Sequence, residues 1–213
     1  MCAPAMTFLS RLSFLGAVTL FSATCFAQFD QNIMMKWAAV TTVKYHIEGE
    51  YRDSGTIVVK GGNSGKGDVS DRVEILLTWD QTSALLVGEP VFKNFKSGVK
   101  NLQNLEKKCD PPILTGPYEH FTLTGLENGL GGYLHMTATR EYAPANVVVM
   151  CAGKREAIPA AKGQDIIQLQ IPAPTLLAMP AAAGSTLQLD PANDTIITRD
   201  GGWTWTYKLA PGD

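Results

Sequence analysis

Side chains through the body of this chain sort by odd and even position, a period that admits little besides extended strands with one flank buried. Val43, Tyr45, Ile47 and Tyr51 fall on one flank, and Lys44, His46, Glu48 and Glu50 on the other, the pattern of a half-buried strand. Trp37, Ala39 and Thr41 continue the first flank upstream, so the strand is expected to begin near Trp37. Arg52-Asp53-Ser54-Gly55 reads as a hairpin turn into Thr56-Ile57-Val58-Val59, and Gly61 to Asp68 as a mobile glycine-rich loop.

The alternation returns at Val73, Ile75, Leu77 and Trp79, and Asp80-Gln81-Thr82-Ser83 turns the chain toward Leu85-Leu86-Val87 and Val91-Phe92. Loops this short predict antiparallel neighbours. Between Lys93 and Lys108 the pattern fades; Val99, Leu102 and Leu105 would suit a short helix, which Asn101 and Asn104 weaken. Val147 to Met150, Ile166 to Leu169, Thr195 to Ile197 and Trp203 to Leu209 read as further strands. Pro172, Pro174 and Pro180 forbid a long helix between Pro172 and Gly184, leaving room for one turn over Thr175 to Met179. The fold expected is mainly β: an antiparallel β-sandwich or an open β-barrel, in one domain. An outer-membrane barrel is disfavoured, because the strands lack a series of about ten lipid-matched residues.

The clearest hairpin signal is Asn128-Gly129, a pair that readily takes the positive φ angles of a type I′ turn. With those two residues as the turn, Glu127 pairs with Leu130, Leu123 with Leu134 and Phe121 with Met136. Extended downward, that register brings Cys109 and Cys151 close to opposition, although Pro111, Pro112 and Pro117 must break the ladder there.

The N-terminus carries a targeting pattern. Arg11 precedes an apolar run from Leu12 to Phe21, then the small-residue stretch Ser22 to Ala27, and the first acidic residue is Asp30. That order is a secretory signal peptide. Ala27 and Cys25 fit the positions before the cut, so residues 1–27 are expected to be removed and residues 28–213 to form the mature domain; translation starts at Met1 or Met6. The apolar run is about half of the roughly 20 residues a spanning helix needs, and no later segment comes closer. Cys25 is a poor lipidation site, since Ser22, Ala23 and Thr24 precede it without the usual leucine. Of the four cysteines, Cys109 and Cys151 remain after cleavage and face an oxidising compartment, periplasm or medium, which predicts a disulfide between them. Its loop of about 40 residues is worth on the order of 4 kcal/mol in the chain-entropy model.

Recognisable catalytic motifs are missing from the sequence. At the glycine-rich segment Lys60 stands where a P-loop needs its first glycine, and Gly67 where it needs a hydroxyl residue. Gly62-Asn63-Ser64-Gly65-Lys66 likewise lacks the second glycine of a nucleophile elbow. The net charge of −2, one unit more negative after cleavage, argues against nucleic acid as a partner. Of the three histidines, His120 and His135 become diagonal neighbours in the expected register, opposite Thr137 and Thr122, and are the candidate metal ligands. The competing reading is a pair of solvated histidines. Trp203, Trp205 and Tyr207 share one flank of the last strand, either as a stacking platform for a sugar or other flat ligand or as core. Acidic residues such as Asp68, Asp71, Glu74, Asp80, Glu89 and Glu119 could supply a glycosidase pair only if the fold sets their separation, and Asn193-Asp194-Thr195 fits a glycosylation sequon.

The expectation that follows is an exported, non-enzymatic β protein, without a cofactor, that binds a partner protein, an envelope component or a small ligand. The alternatives are an extracytoplasmic hydrolase or metal-dependent enzyme built on His120 and His135, and a structural envelope component.

Overall fold

The computed structural model of the protein describes residues 29–59, 63–103, 118–128, 133–142, 146–151, 154–159, 163–180 and 186–212. Among the described residues the chain is mainly β, with antiparallel sheets and one α-helix, α1, over Gln31–Ala38. Twelve strands follow in the order β1 Thr42–Val59, β2 Asn63–Asp80, β3 Leu85–Leu86, β4 Val91–Gln103, β5 Tyr118–Asn128, β6 Tyr133–Tyr142, β7 Asn146–Cys151, β8 Lys154–Pro159, β9 Gly163–Pro172, β10 Leu187–Asp190, β11 Thr195–Asp200 and β12 Trp203–Pro211. A 3-10 turn, Pro174–Ala178, stands where the prolines leave room for one turn.

The largest sheet has seven strands in the order β10-β11-β12-β1-β2-β3, with β4 also paired to β2. β5-β6-β9 form a second sheet and β7-β8 a separate ribbon. The alternation reads out directly in burial. Val43, Tyr45 and Ile47 of β1, Val73, Ile75, Leu77 and Trp79 of β2, and Trp205, Tyr207 and Leu209 of β12 all turn inward. From the second sheet Leu134, Met136 and Ala138 of β6 meet them with Ile167, Leu169 and Ile171 of β9. Burying one such side chain is worth roughly 1.5–3 kcal/mol, so the two inner faces carry most of the driving force. Trp37, Leu176 and Leu177, all buried, join the same core from α1 and the 3-10 turn.

Polar links between the sheets set their placement. The Tyr45 hydroxyl donates to the Pro172 carbonyl at 3.3 Å, and the Tyr207 hydroxyl to the Gln170 carbonyl at 3.0 Å. Both carbonyls belong to β9, the outer strand of its sheet. At another point Arg140 Nη1 donates to Asp71 Oδ2 at 2.6 Å, with both side chains less than a tenth exposed.

Several expectations need correction. The segment around Trp37 is helical: the Asp30 carboxylate caps it by accepting from the backbone N–H groups of Asn32 at 2.9 Å and Ile33 at 3.2 Å, which satisfies two otherwise orphan donors. No turn forms at Arg52 to Gly55, because β1 runs on to Val59 and pairs with β2 throughout, Val59 opposite Asn63. The glycine-rich segment expected to be a loop is therefore strand from Asn63 onward. Glycine is compatible with extended backbone, and pairing on both sides of β2 overrides its low strand preference. The stretch beyond Lys93 is strand β4, paired to β2 with irregularities between Lys66 and Asp68 and between Arg72 and Glu74. β8 and β10 are two further short strands.

The β5-β6 hairpin forms, but in another register. Asn128 pairs with Leu134, Glu127 with His135 and Leu126 with Met136, and a bulge between Leu123 and Gly125 shifts the ladder to Leu123 opposite Ala138. Asn128 thus still belongs to a strand, and the connection is longer than a two-residue turn. The inward positions Leu134, Met136 and Ala138 make the hydrophobic side of β6 dictate the register.

Candidate ligand-binding cleft

A cleft of about 550 Å³ opens between β6 and β9 on one side and β10, β11 and the start of β12 on the other, within the ~300–1,000 Å³ typical of small-molecule sites. One wall comes from β6 and β9. Register pairs His135 with Gln170 and Thr137 with Gln168, so these four side chains form a block on one face, with Tyr133 at its end. Both glutamines are exposed while Leu169 between them is buried. The facing wall comes from Thr186, Leu187, Thr198, Arg199 and Asp200, and Glu127 of β5 closes the rim.

The floor is aromatic. Trp205 is 6% exposed and Tyr207 is fully buried. Burial raises the Tyr207 phenol well above its ordinary value near 10, the nearby Thr198 hydroxyl acts in the opposite direction, and Tyr133 adds to the rise. Tyr207 therefore stays a neutral hydroxyl, held by its bond to the Gln170 carbonyl. Trp205 owes its position to Gly49, the residue opposite it on β1: a Cβ there would overlap the indole, so only glycine leaves room for the ring. Trp203 stacks on Trp205 at 4.8 Å with planes 14° apart, and Tyr51 packs on Trp203 at 5.5 Å. The Arg140 guanidinium lies 5.9 Å from the Trp203 ring centre.

The Trp203, Trp205 and Tyr207 row accordingly divides. Its inner members, Trp205 and Tyr207, belong to the core beneath the cleft, and of the three Trp203 is partly exposed. An open stacking platform is not formed, because the second sheet covers that flank.

The candidate histidine pair loses its geometric basis. His120 lies opposite Glu141 and His135 opposite Glu127, a separation of roughly 20 Å at ~3.4 Å per residue, so the two are not diagonal neighbours. The side chain of His120 lies outside the described residues. Among the described residues no group of three or more His, Cys, Asp or Glu side chains could hold a metal ion. Cys109 lies outside the described residues, as does the side chain of Cys151 at the end of β7, and so do residues 1–28 with the expected cleavage site.

The third histidine belongs to a surface network. His46 Nε2 meets Glu74 Oε1 at 2.8 Å, and Lys208 Nζ donates to Glu48 Oε1 at 3.1 Å, on the flank of β1, β2 and β12 that faces away from the core. Glu48 and Glu74 stand directly opposite one another, and these partners, with Arg72 at 3.9 Å from Glu48, offset their repulsion. Of the acidic candidates, Asp71 is held by Arg140 and Asp80 caps a turn, accepting from the Thr82 and Ser83 backbone N–H groups at 2.7 and 3.1 Å. Those bonds lower the Asp80 carboxyl below its usual range. Asn193 is exposed in a 3-10 turn, Pro191–Asn193, with its amide donating to Asp190 Oδ2 at 2.8 Å.

No helix among the described residues is long and apolar enough to cross a membrane. No family model, curated protein or solved structure matches the chain.

Proposed function

We propose that this is an exported, non-enzymatic protein whose mature domain, residues 28–213, uses a β-sandwich to bind a small molecule or partner group outside the cytoplasm. The reading of a sandwich over an open barrel rests on two inner faces that contribute side chains to one shared core. Export rests on the Arg11, Leu12 to Phe21 and Ala27 pattern, and the Cys109–Cys151 disulfide on the compartment that pattern implies.

The observation that carries the binding reading is the cleft itself. Its lining combines the Trp205 ring with walls bearing amides and hydroxyls, the combination by which a concave site gains both affinity and orientation. The test is recovery of the protein from the native extracytoplasmic fraction and identification of what accompanies it. A stoichiometric small molecule or partner supports the proposal; recovery of neither, together with turnover of a substrate, refutes it.

A further inference from the structure

We infer that the cleft takes a neutral, hydroxyl-rich ligand, a saccharide of one or two rings, a refinement that rests on the binding reading above. Gln168 and Gln170 point to the same face of β9, about 7 Å apart at two strand positions. Each carboxamide offers one acceptor and two donors, which suits adjacent hydroxyls that both give and take hydrogen bonds. The Thr198 hydroxyl stands on the facing wall, so polar partners reach the ligand from two sides. Trp205, 6% exposed, brings an aromatic ring to the lining, against which the C–H face of a sugar ring packs.

Charge narrows the class. Glu127 and Asp200 put two carboxylates in the lining, where Arg199 is the one permanent cation among the described residues, so an anion would enter against two like charges. Arg199 beside Asp200 opposes a cation in turn. A purely apolar ligand would strip water from both glutamines and leave their amides unmatched. A neutral polyol meets none of these penalties.

The experiment is titration of the purified protein with maltose, cellobiose and N,N′-diacetylchitobiose beside glucose 6-phosphate, choline and laurate, followed by calorimetry and by the Trp205 indole N–H resonance. Gln168→Ala and Gln170→Ala are the site variants, chosen because both side chains are exposed and their loss leaves the core intact; Lys44→Ala, on the far flank of the large sheet, is the control. At least one neutral saccharide should shift the Trp205 resonance and bind at least ~tenfold more weakly to the Gln168→Ala protein, the loss expected for hydrogen bonds worth about 1.4 kcal/mol. Saccharide binding untouched by both glutamine variants overturns the inference. So does binding of the phosphate, choline or laurate in place of saccharides, which leaves the broader binding reading standing. If no probe binds, the saccharide class is refuted, and the binding reading falls with it only when material from the native compartment also carries no ligand.

Discussion

Alanine at position 49 should damage this protein while alanine at position 55 should not. Both glycines lie on β1 and neither has a positive φ, so the substitutions change strand preference alike. Their surroundings differ: a Cβ on Gly49 would lie 2.6 Å from Cε3 and 2.7 Å from Cη2 of Trp205, whereas one on Gly55 meets nothing within 4 Å. Trp205 cannot simply swing aside, since Trp203 stacks on it at 4.8 Å. Overpacking of this kind costs about 1–3 kcal/mol, while alanine in the open position gains up to ~0.4–1 kcal/mol by restricting the unfolded chain. The two variants should therefore differ by roughly 1.5–4 kcal/mol, or roughly 3–15 °C in Tm for a domain of this size. Urea and thermal melts give the gap, and near-ultraviolet circular dichroism reports the displaced indole in Gly49→Ala. Equal stability of the two variants, with an unchanged aromatic spectrum, would refute the argument that Gly49 is there to receive Trp205.

The buried pair offers a second perturbation. Arg140→Met leaves the Asp71 carboxylate without its 2.6 Å partner in a site 6% exposed, and should cost about 3–5 kcal/mol in a urea melt, while the double replacement Asp71→Leu/Arg140→Met should cost less than the single change. Alkaline stability is a third. Burial raises the Tyr45 and Tyr207 phenols above their ordinary value near 10, so the unfolded chain loses protons first; stability should hold below pH ~10 and then fall by up to ~1.4 kcal/mol per pH unit per tyrosine as pH rises toward the folded values. Tyr45 and Tyr207 should resist ionisation in the native protein when phenolate absorbance is followed, and normal titration of both would contradict the burial. Thiol counting under denaturing conditions, with and without reductant, should find Cys109 and Cys151 unreactive until reduced; two free thiols in freshly exported protein would remove the disulfide.

What could be read in advance follows from how local each signal is. Alternation at Val43 to Ile47 and Val73 to Trp79 assigned strands and inward flanks together, since period two determines both. Turn chemistry misled wherever pairing partners mattered more. Arg52 to Gly55 has the composition of a turn, yet its backbone is engaged along a continuous β1-β2 ladder. Asn128-Gly129 marked a genuine hairpin, but Asn128 is still paired, with Leu134, and Glu127 lies opposite His135, so a register counted outward from a two-residue turn is displaced by five residues. That error alone placed His120 and His135 together. The helix start was legible in Asp30, a good N-cap residue, and was missed because Trp37 also fits the strand flank downstream. The cleft was only partly legible. Gln168 and Gln170 alternate with Leu169 and Ile171, which marks them as the outward flank of a strand, but the wall they face comes from β10 and β11, whose approach depends on long-range pairing that no short window contains.

The most direct test is native mass spectrometry of the protein recovered from the extracytoplasmic fraction, with Gln168→Ala recovered alongside. The account predicts a chain beginning at Gln28, two hydrogens lighter than its reduced form, carrying a dissociable small-molecule adduct that the variant loses. A leader-bearing chain confined to the cytosol, bare of any adduct, would contradict it.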